Sequence, residues 1–581
     1  MSIANERSAS LFQAQFRALH AAMSKKNSAS PEAPNSQVLT VLMRHGGLYT
    51  LLDSDMMAAR LVPLLSSQSG VTAESATTFV SSLGSGIASF FMHMVPATYY
   101  VLDSSLISHL SFPGPDSTGT KAKGLTFTND MPTQPPGLES PTIPAAFTFV
   151  GQFIDHDLTM NAVDLFNAQT GEVQNTASPL IDLDSVYGPR TILFNAPAHG
   201  TIYEKDGTFK LHKKHGTATG HYYDLPREGA NDANPHKAYI SDARNDENQM
   251  ILQIHLLVMK LHNKLLKTVF HGIADPLERF EAARKETLYN WQSFVMDDFL
   301  RRTLLDATLD ELLVEIGKKD FGDFKYKPCL NLATGKYVAS LPHEFAIGFR
   351  YGHSQLKPKY RLRADQTAGI TLFDNSQVAD SNGNFTDLRG SQPLVADHVI
   401  DFEFFAGGAF LSNLIDGKVT SVVFDLPESA IPDDIKFVGN LVQRNLIRSS
   451  QVGLCCGEDL AKFYGVTALT PDQIDSDPVA RELYVARDAN GNVLTKDGTA
   501  VFQTPLWYYL LKEAELQGKT KGSLGSLGSR LVGEIILGAI AWADESVLKD
   551  GHKDPTWVSK VPLADAGKVT LLDLVRFVAD Y

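Results

Sequence analysis

Residues 239–266 read YISDARNDENQMILQIHLLVMKLHNKLL, and the second half of this stretch decides the class of fold. Six apolar residues follow one another there at intervals of three and four, the spacing of one buried helix face. They are Ile251, Ile254, Leu257, Val258, Leu261 and Leu265. Similar patterns recur along the chain, so we expect a mainly α-helical fold with few short strands. Further helices are expected near residues 275–316, 339–352, 432–451, 458–464, 505–516, 529–548 and 570–580.

Turn signals separate these helices. Asn490-Gly491 and Asp497-Gly498 are typical of β-hairpin turns. The run GSLGSLGS at residues 522–529 indicates a flexible joint. The segment that begins at Asp380 resembles the start of a calcium-binding EF-hand loop, but its twelfth residue is Ser391 rather than the glutamate that such a loop requires. We therefore expect a turn there.

Composition excludes several classes of protein. The chain has 581 residues, with 52 Lys and Arg against 66 Asp and Glu, a net charge of −14. Nucleic acid is an unlikely partner, because binding its phosphates needs clustered cationic side chains. Three cysteines, two of them adjacent at Cys455 and Cys456, cannot form a disulfide framework or a zinc–cysteine site. No Walker A loop, complete GxGxxG or GxSxG elbow is present.

The first hundred residues bear on location. No basic stretch followed by an apolar stretch marks a secretory signal peptide. The most apolar segment, residues 87–102, is shorter than the about 20 residues that a membrane span requires. We therefore expect no transmembrane span, and a cytoplasmic protein or one exported without a classical signal.

The stretch FTFVGQFIDHDLTM at residues 147–160 carries the first chemical motif. In a helix, Gln152 and His156 lie one turn apart on one face, and Asp155 and Asp157 lie to either side. The alternative is a buried histidine held by its own helix. Two carboxylates beside one histidine in an apolar run are costly unless ligands or partners compensate, which favours a functional site.

The stretch SPLIDLDSVYG at residues 178–188 alternates oxygen donors. Ser178, Asp182 and Asp184 supply side-chain oxygens, with backbone carbonyls between them. Together with Asp157 they suit Ca²⁺, which binds six to eight hard oxygen ligands. The alternative is a solvated acidic turn.

Three more clusters contain histidine, arginine and asparagine. Arg244 and Glu247 precede the long helix, where an acidic residue is also favourable as a helix cap. His353 follows Gly352, which lets a planar group approach the backbone, so His353 is a candidate iron ligand and His343 its competitor. Core packing is the simpler interpretation of His255 and His262. A last segment places Asn445 and Arg448 on one helical face.

Taken in order, these segments resemble the animal-type haem peroxidases of the peroxidase-cyclooxygenase superfamily, the family of myeloperoxidase and lactoperoxidase, and a bacterial member in particular. Five motifs match between residues 150 and 455: GQFIDHD, the S-x-x-x-D-x-D-x-VYG segment, D-x-R-x-x-E, FRYGH and N-x-x-R. The resemblance implies a large helical haem peroxidase domain over residues 141–581. Residues 1–40 would then be a partly flexible arm, and residues 41–140 an extension that packs on the core.

The resemblance implies a role for each residue of the reacting side. His156 matches the distal histidine, which accepts a proton from hydrogen peroxide and returns it to the departing oxygen. Arg244 matches the distal arginine, whose charge stabilises the developing oxyanion. Gln152 matches the distal glutamine, which holds water or a halide near the iron.

The resemblance also implies how the chain holds its cofactors. His353 matches the haem iron ligand, and Asn445 the asparagine that accepts its other ring N–H. Asp155 and Glu247 match the two carboxylates esterified to a haem b-derived group. Arg350 and Arg448 match the arginines that bind the haem propionates. The residues that match calcium ligands are Asp157, Ser178, Leu180 through its carbonyl, Asp182 and Asp184.

Two departures from the family pattern affect the expected chemistry. Asn248 stands where a methionine forms a third haem link, so that link is excluded and strong chloride oxidation is not expected. Asp184 replaces the usual serine or threonine of the calcium loop, which adds charge and keeps an oxygen. We expect peroxide-dependent oxidation of iodide, bromide, thiocyanate or phenolic donors. The oligomeric state stays open.

Two alternatives remain. A fatty-acid dioxygenase of the cyclooxygenase branch carries its radical-forming tyrosine three residues before the iron ligand, and here that position is Arg350, with Tyr351 one residue out of register. A non-catalytic calcium- or haem-binding protein with a decayed site is the other. The presence of His156, Arg244 and His353 argues against the second alternative.

Overall fold

The computed structural model describes the larger part of the chain from residue 139 onward and short pieces before it. The expected arm at residues 1–40 lies outside the described residues, as does most of the expected extension at 41–140, including most of the apolar segment 87–102. The described residues are 50–52, 86–88, 91–92, 94, 110, 126–127, 139–159, 161–162, 174–175, 177–188, 202–216, 220–227, 236–318, 321–326, 329–330, 337–338, 341–424, 426–427, 440–487, 492–543 and 545–581.

Helices dominate the described residues, as the sequence predicts. The α-helices are α1 (Ala146–Leu158), α2 (Asp184–Tyr187), α3 (Gln249–Lys264), α4 (Pro276–Phe294), α5 (Leu300–Thr303), α6 (Asp306–Glu315), α7 (His343–Gly348), α8 (Phe402–Phe405), α9 (Leu441–Gln451), α10 (Gly457–Tyr464), α11 (Pro471–Ile474), α12 (Pro478–Arg481), α13 (Leu506–Glu513), α14 (Ser526–Ala541) and α15 (Leu571–Phe577). Single π-helical turns cover Leu265–Val269, Val295–Phe299 and Ala514–Gly518. The 3-10 turns used below are Ala243–Asp246 and Phe349–Gln355.

Strands within the same residues are short and occur in pairs. Most pairs are antiparallel, and β3 with β12 and β4 with β16 are parallel. The pairs are β1 (Thr50–Leu52) with β2 (Gly86–Ala88), β3 (Phe91–Met92) with β12 (Leu341–Pro342), β4 (Thr126–Phe127) with β16 (Lys418–Val419), β5 (Glu139–Pro144) with β15 (Leu411–Asn413), β6 (Asn161–Ala162) with β7 (Gln174–Asn175), β8 (His212–His215) with β9 (His221–Asp224), β10 (Cys329–Leu330) with β11 (Tyr337–Val338), β13 (Lys359–Tyr360) with β14 (Ile370–Thr371), β17 (Thr495–Lys496) with β18 (Thr499–Ala500), and β19 (Leu548–Lys549) with β20 (His552–Lys553).

The core forms around two helices that are buried on nearly all sides. Helix α3 packs against α1 and α4, and its histidines His255 and His262 are buried, as the core interpretation predicts. Helix α14 packs against α6, α7 and α13. A helix without a polar face needs such surroundings, because only burial stabilises apolar residues all round. No helix in the described part of the chain has the length and apolar character for crossing a bilayer.

Two expectations about the helices are wrong in detail. The single helix expected over 275–316 is interrupted by a π turn and then ends before Leu304, where Leu305 donates its backbone N–H to Ser529. The run at 522–529 is not a flexible joint. It is buried, and α14 begins within it at Ser526, with Glu513 accepting from the backbone N–H groups of Leu527 and Gly528.

The hairpin expected at Asp497-Gly498 is confirmed. These two residues connect β17 to β18, and both have positive φ, 52° and 78°. That backbone is the type I′ geometry that Asp-Gly favours. The other expected turn, Asn490-Gly491, lies outside the described residues.

Candidate active site

The last two turns of α1 carry four of the predicted site residues. Gln152, Asp155, His156 and Asp157 lie within Ala146–Leu158, and the apolar residues of the same helix are buried in the core. Because the helix is fixed on its apolar side, its polar side chains are held at defined positions. His156 is buried and Asp155 is half-buried.

A short 3-10 turn brings Arg244 to the end of α1. Asp242 begins this turn, accepts from the backbone N–H of Arg244 and binds its guanidinium at 2.6 Å. Nη2 of Arg244 also donates to the backbone oxygen of His156 at 2.9 Å. Burial alone would lower the pKa of Arg244, but Asp242, followed by Asp155 and Glu247, raises it. The cation is therefore held beside the histidine.

The residues after Arg244 are fixed from two directions. Arg227 binds Asp246 with both terminal nitrogens, at 2.7 and 2.8 Å. On the other side, the backbone of Gly390 donates to the oxygen of Glu247 at 3.0 Å. A Cβ at residue 390 would lie 1.7 Å from the backbone oxygen of Asp246, so only glycine permits this approach.

Three predicted residues converge on one side of the site. Nε2 of His156 lies 3.5 Å from a carboxylate oxygen of Glu247, and Gln152 donates its amide N–H to the same oxygen. Asn248 then donates to the amide oxygen of Gln152 at 3.0 Å. The structure thus brings His156, Gln152 and Glu247 together beside Arg244, although they come from two separate stretches of sequence.

Asn245 is a site residue that the sequence analysis missed. It is fully buried, and its Oδ1 lies 2.9 Å from Nδ1 of His156. On its other end, Nδ2 lies 3.0 Å from Nδ1 of His255 in α3. Its position directly after Arg244 was visible in the sequence, but its contact with two histidines depends on the approach of α1 to α3.

A second predicted histidine, His353, lies close to α1. It lies in the 3-10 turn Phe349–Gln355, which packs against α1. Nδ1 of His353 is 2.8 Å from Asn445 of α9, so the predicted pair is in contact. Burial, then the charges of Arg350 and Arg444, lowers the pKa of His353 to about 3. The ring is therefore neutral, as a metal-binding imidazole must be.

The direction of the His353–Asn445 contact differs from the expected one. Asn445 was expected to accept from His353, but its amide nitrogen faces the ring and its oxygen accepts from Arg350 at 2.9 Å. The physical reason is Arg350, which can only donate and therefore takes the oxygen. The competing candidate His343 is the first residue of α7.

Arginine side chains accumulate around His353. Burial, with the nearby charges of Arg448 and Arg444, lowers the pKa of Arg350 to about 10, and Asp155 opposes this effect. One oxygen of Asp155 is buried without a hydrogen-bond partner. Three half-buried arginines and an unsatisfied carboxylate oxygen fit a large anionic group that also bonds to Asp155, as a haem with two propionates does.

The predicted calcium ligands form a compact carboxylate cluster. One oxygen each of Asp157, Asp182 and Asp184 lies within 4.8 Å of the others. Leu183, at φ 59°, turns the loop so that its backbone N–H and that of Ser185 donate to Asp157. Ser178 donates its backbone N–H to Asp184 at 3.1 Å. Leu180 lies in the same loop.

The three carboxylates of the cluster repel one another. Burial and the charge of Asp182 raise the pKa of Asp157 to about 7. The pKa of Asp184 is raised as well, by burial and by Asp182 and Asp157. Three carboxylates so close repel one another unless a positive ion or protons balance them. The donor set consists of hard oxygens, which suits Ca²⁺.

Comparison with known proteins finds a match in the central segment. Residues 164–395 match the family model of animal haem peroxidases. This match covers less than half of the chain. The matched segment contains Arg244, Glu247, Arg350 and His353, whereas α1 and α9 lie outside it.

Two proteins, one compared by sequence and one by structure, are similar to this chain. Heme peroxidase 2 of Caenorhabditis elegans is 25% identical over 191 residues, 30% of this chain and 24% of that protein, so the match spans about a quarter of the relative. Peroxidase A of Dictyostelium discoideum has a similar structure, with a TM-score of 0.50, 16% identity, and coverage of 84% of this chain and 93% of that one.

A fatty-acid alpha-dioxygenase shares the same helical architecture. The enzyme from Oryza sativa gives a TM-score of 0.52 at 14% identity and covers 100% of this chain and 97% of its own. At such identities the likeness shows the fold alone. The mainly α-helical fold is therefore confirmed, and it accommodates both peroxidase and dioxygenase relatives.

Proposed function

We propose that this chain is a haem peroxidase that reduces hydrogen peroxide and oxidises small anionic or phenolic donors. The observation that carries the proposal is the meeting of His156, Arg244 and Gln152 at the end of α1, with His353 in a 3-10 turn that packs against the same helix. We assign His156 as the acid–base catalyst, Arg244 as the fixed cation and His353 as the iron ligand that peroxide cleavage requires. The matched family segment supports the same reaction.

The haem would be held by residues from four elements. His353 would bind the iron, and Arg350 and Arg448 would pair with the propionates. Asp155 and Glu247 would form the two esters. When bound, the haem supplies the redox centre that delivers electrons to peroxide. For His353 to bind through Nε2, Nδ1 must carry the proton, so the Asn445 amide must present its oxygen to the ring and release Arg350.

The chain's own residues would handle the protons and the charge of the reaction. Nε2 of His156 accepts a proton from peroxide and returns it to the departing oxygen, which leaves as water. Arg244 stabilises the negative charge that develops on that oxygen, and Asp242 keeps the guanidinium in place. Gln152 holds water or a halide through its amide group.

We assign Ca²⁺ to the loop that contains Asp182. The ligands would be Asp157, Ser178, the carbonyl of Leu180, Asp182 and Asp184. Because Asp157 directly follows His156 in α1, an ion bound there would also fix the end of the helix that carries the base. This assignment rests on the convergence of the three carboxylates and on the raised pKa values of Asp157 and Asp184.

Donor choice follows from one departure in the family pattern. Asn248 occupies the position of the methionine that forms a third haem link in some animal peroxidases. Without that link we propose oxidation of iodide, bromide or thiocyanate in preference to chloride, and of phenolic donors. Steady-state rates with each halide and with a phenol, measured at equal peroxide concentration, test the preference.

An absorption spectrum of the haem-loaded full chain, before and after peroxide, tests the proposed function. We expect a Soret band that changes with peroxide and donor oxidation that depends on it. His353→Ala is expected to lose the iron ligand, while His343→Ala, the matched control, keeps it. Bound haem without peroxide turnover would contradict the peroxidase proposal and favour the non-catalytic alternative.

Acid–acetone extraction tests the ester bonds separately. Asp155→Asn combined with Glu247→Gln removes both carboxylates, so we expect all haem to become extractable. Glu311→Gln, an exposed residue of α6, is the control and should leave the haem bound. Complete extraction from the unaltered chain would remove the ester assignment and leave the peroxidase proposal intact.

The structural neighbours make a fatty-acid dioxygenase the second candidate. The residue three positions before His353 is Arg350, and the adjacent Tyr351 is buried with its hydroxyl hydrogen-bonded to Thr303. Burial raises the pKa of Tyr351, which keeps the phenol protonated. Oxygen uptake with linoleate or palmitate that disappears in Tyr351→Phe would establish this candidate over the peroxidase.

A further inference from the structure

Asn245 joins two buried histidines from different helices. Its Oδ1 is 2.9 Å from Nδ1 of His156, and its Nδ2 is 3.0 Å from Nδ1 of His255. The exposed fractions are 0% for Asn245, 5% for His156 and 1% for His255. Water therefore has little access to these contacts, and the side chains must satisfy one another.

The two ends of a carboxamide differ in how they form hydrogen bonds. The oxygen only accepts hydrogen bonds and the nitrogen only donates them. The ring nitrogen that faces the oxygen must carry a proton, and the ring nitrogen that faces the NH₂ group must not. One asparagine between two Nδ1 atoms therefore imposes opposite proton positions on the two rings.

His255 is confined to a single proton. Burial lowers its pKa to about 3, so it is neutral at any ordinary working pH. Because its Nδ1 accepts from Asn245, its proton is on Nε2. Because Nδ1 of His156 faces the oxygen of Asn245, the ring carries a proton there, and Nε2 is its other nitrogen.

We propose that Asn245 is a positioning residue, oriented by His255, that holds a proton on Nδ1 of His156 and confines proton exchange to Nε2. The catalytic consequence rests on the proposed peroxidase function, because Nε2 is the atom that would take and return the peroxide proton. Asn245 and His255 are thus the two residues that orient the base, His156.

The backbone around Asn245 keeps the side chain in reach of both rings. Its N–H donates to the backbone oxygen of Asp242 at 3.0 Å. The next residue, Asp246, is clamped by Arg227, and its backbone oxygen accepts from Ser391 at 2.7 Å. Rotation of the amide by 180° would reverse the proton positions in both rings at once, so neither ring can change alone.

Nitrogen NMR of the full chain labelled with ¹⁵N-histidine tests the proton positions directly. The measurement uses the full chain expressed without haem, so that no iron broadens the signals, at a pH where each ring shows one protonated and one unprotonated nitrogen. His156→Gln and His255→Asn assign the two rings by loss of their signals. We expect the proton of His156 on Nδ1 and that of His255 on Nε2. A proton on Nε2 of neutral His156, or the same tautomer in both rings, would overturn the proposal.

Two replacements of His255 separate orientation from packing. In His255→Asn, the new carboxamide oxygen can take the acceptor position of Nδ1, whereas His255→Leu offers no acceptor to Asn245. We expect His255→Leu to lower kcat/KM for peroxide by roughly 10²-fold and to mix the tautomers of His156. His255→Asn should restore most of both. Equal losses in the two variants would contradict the proposal.

His262→Leu is the matched control, since His262 is buried in the same helix and burial also lowers its pKa to about 3. It contacts Tyr187 and the backbone of Gly207 instead of Asn245. We expect a lower unfolding temperature with an unchanged His156 tautomer. A changed tautomer in this variant would mean that general loosening of α3 explains the effect. The NMR result also stands apart from the proposed function, because a chain with the expected tautomers and no peroxide turnover would refute only the peroxidase.

Discussion

Arg244 reaches the site with its charge partly balanced and its direction fixed. Asp242 binds Nε and Nη2, and the backbone oxygen of His156 binds Nη2 as well. The guanidinium therefore makes three hydrogen bonds from one edge, which a point-like ammonium cannot reproduce. The positive charge of Arg244 and the position of its guanidinium are therefore two separate contributions to the site.

Arg244→Lys tests the geometric part. The substitution keeps a positive charge, but we expect kcat/KM for peroxide to fall roughly 10²-fold, because the charge no longer lies where the oxyanion develops. The measurement is stopped-flow reaction of the haem-loaded chain with peroxide. Arg363→Lys, a charge-preserving change at an arginine bound to the backbone of Ala396, is the control. Equal rates in both variants would contradict the role of Arg244.

Single residues show where sequence reasoning succeeds. His156, Gln152 and Glu247 could be named from their motifs, and in the structure the three side chains lie close together. Asn245 could not, since nothing in its neighbours along the chain indicates two histidines from α1 and α3. The direction of the Asn445 contact was also unpredictable, because it depends on Arg350 approaching the same amide.

At the scale of elements, the carboxylate loop shows how a backbone conformation prepares a cation site. Leu183 has a positive φ, which costs energy for a residue with a side chain. The strained turn directs the backbone N–H groups of Leu183 and Ser185 toward Asp157, while Asp182 and Asp184 approach from the loop. Interaction with a cation would offset both the strain and the repulsion.

Calcium removal should therefore weaken the fold around α1. We expect a chelator to lower the thermal unfolding midpoint and added Ca²⁺ to restore it, because an ion that binds only the folded state stabilises that state. In Asp182→Asn the restoring effect should be much smaller. Asp380→Asn is the control, since Asp380 lies in an exposed turn and already accepts two backbone N–H groups. An unaltered midpoint in chelator would contradict the calcium assignment.

A second element-scale prediction concerns Glu534 in α14. Its Oε2 accepts from the backbone of Lys325 and Tyr326, and Oε1 accepts no hydrogen bond within the described residues and lies 3.9 Å from Arg530. Burial raises its pKa from 4.5 to about 7. Between these values the folded chain holds a proton that the unfolded chain has released, so this carboxyl's contribution to stability falls as pH rises.

Glu534→Gln should remove this dependence of stability on pH. Glutamine keeps the accepting oxygen and cannot ionise, so we expect the variant to gain stability over the unaltered chain as pH rises from 4.5 to about 7. Thermal unfolding measured across that range checks the expectation. A constant difference between the two proteins would show that Glu534 does not titrate in this window.

The helix boundaries show a comparable limit of sequence reasoning. Periodicity located α3, α10 and α15 well, because each has one clear apolar face. It could not anticipate the π turn at Val295–Phe299 or the end of α5, since these depend on contacts with residues from distant elements such as Ser529. The glycines of 522–529 suggested a flexible backbone. Their small size instead permits close packing, for example of Gly525 against Glu513.

At the scale of the whole molecule, the site draws on more of the chain than the matched family segment. His156 lies on α1 and Asn445 on α9, on either side of residues 164–395. The same outer elements supply core packing, since α1 packs on α3 and α14 on α6 and α7. Fold and site are therefore assembled together.

A fragment of residues 164–395 should consequently fail to fold cooperatively. It would expose the faces of α3 and α6 that α1 and α14 cover, a large unfavourable apolar area. Circular dichroism during heating should show no sharp transition, and added haem should gain no ligand-specific Soret band. The full chain is the control. A sharp transition in the fragment would show that the outer helices are accessory.

Asn248 has a consequence for anyone who would redesign this molecule. Its Oδ1 begins α3 by accepting from Met250 and Ile251, while its Nδ2 steadies Gln152. Engineering a third covalent anchor by Asn248→Met would delete a helix cap worth ~1 kcal/mol and release the glutamine in the same step. The variant would therefore hold its cofactor more tightly in a less stable fold. Selection for cofactor attachment alone would not favour it unless another substitution first restored the helix cap.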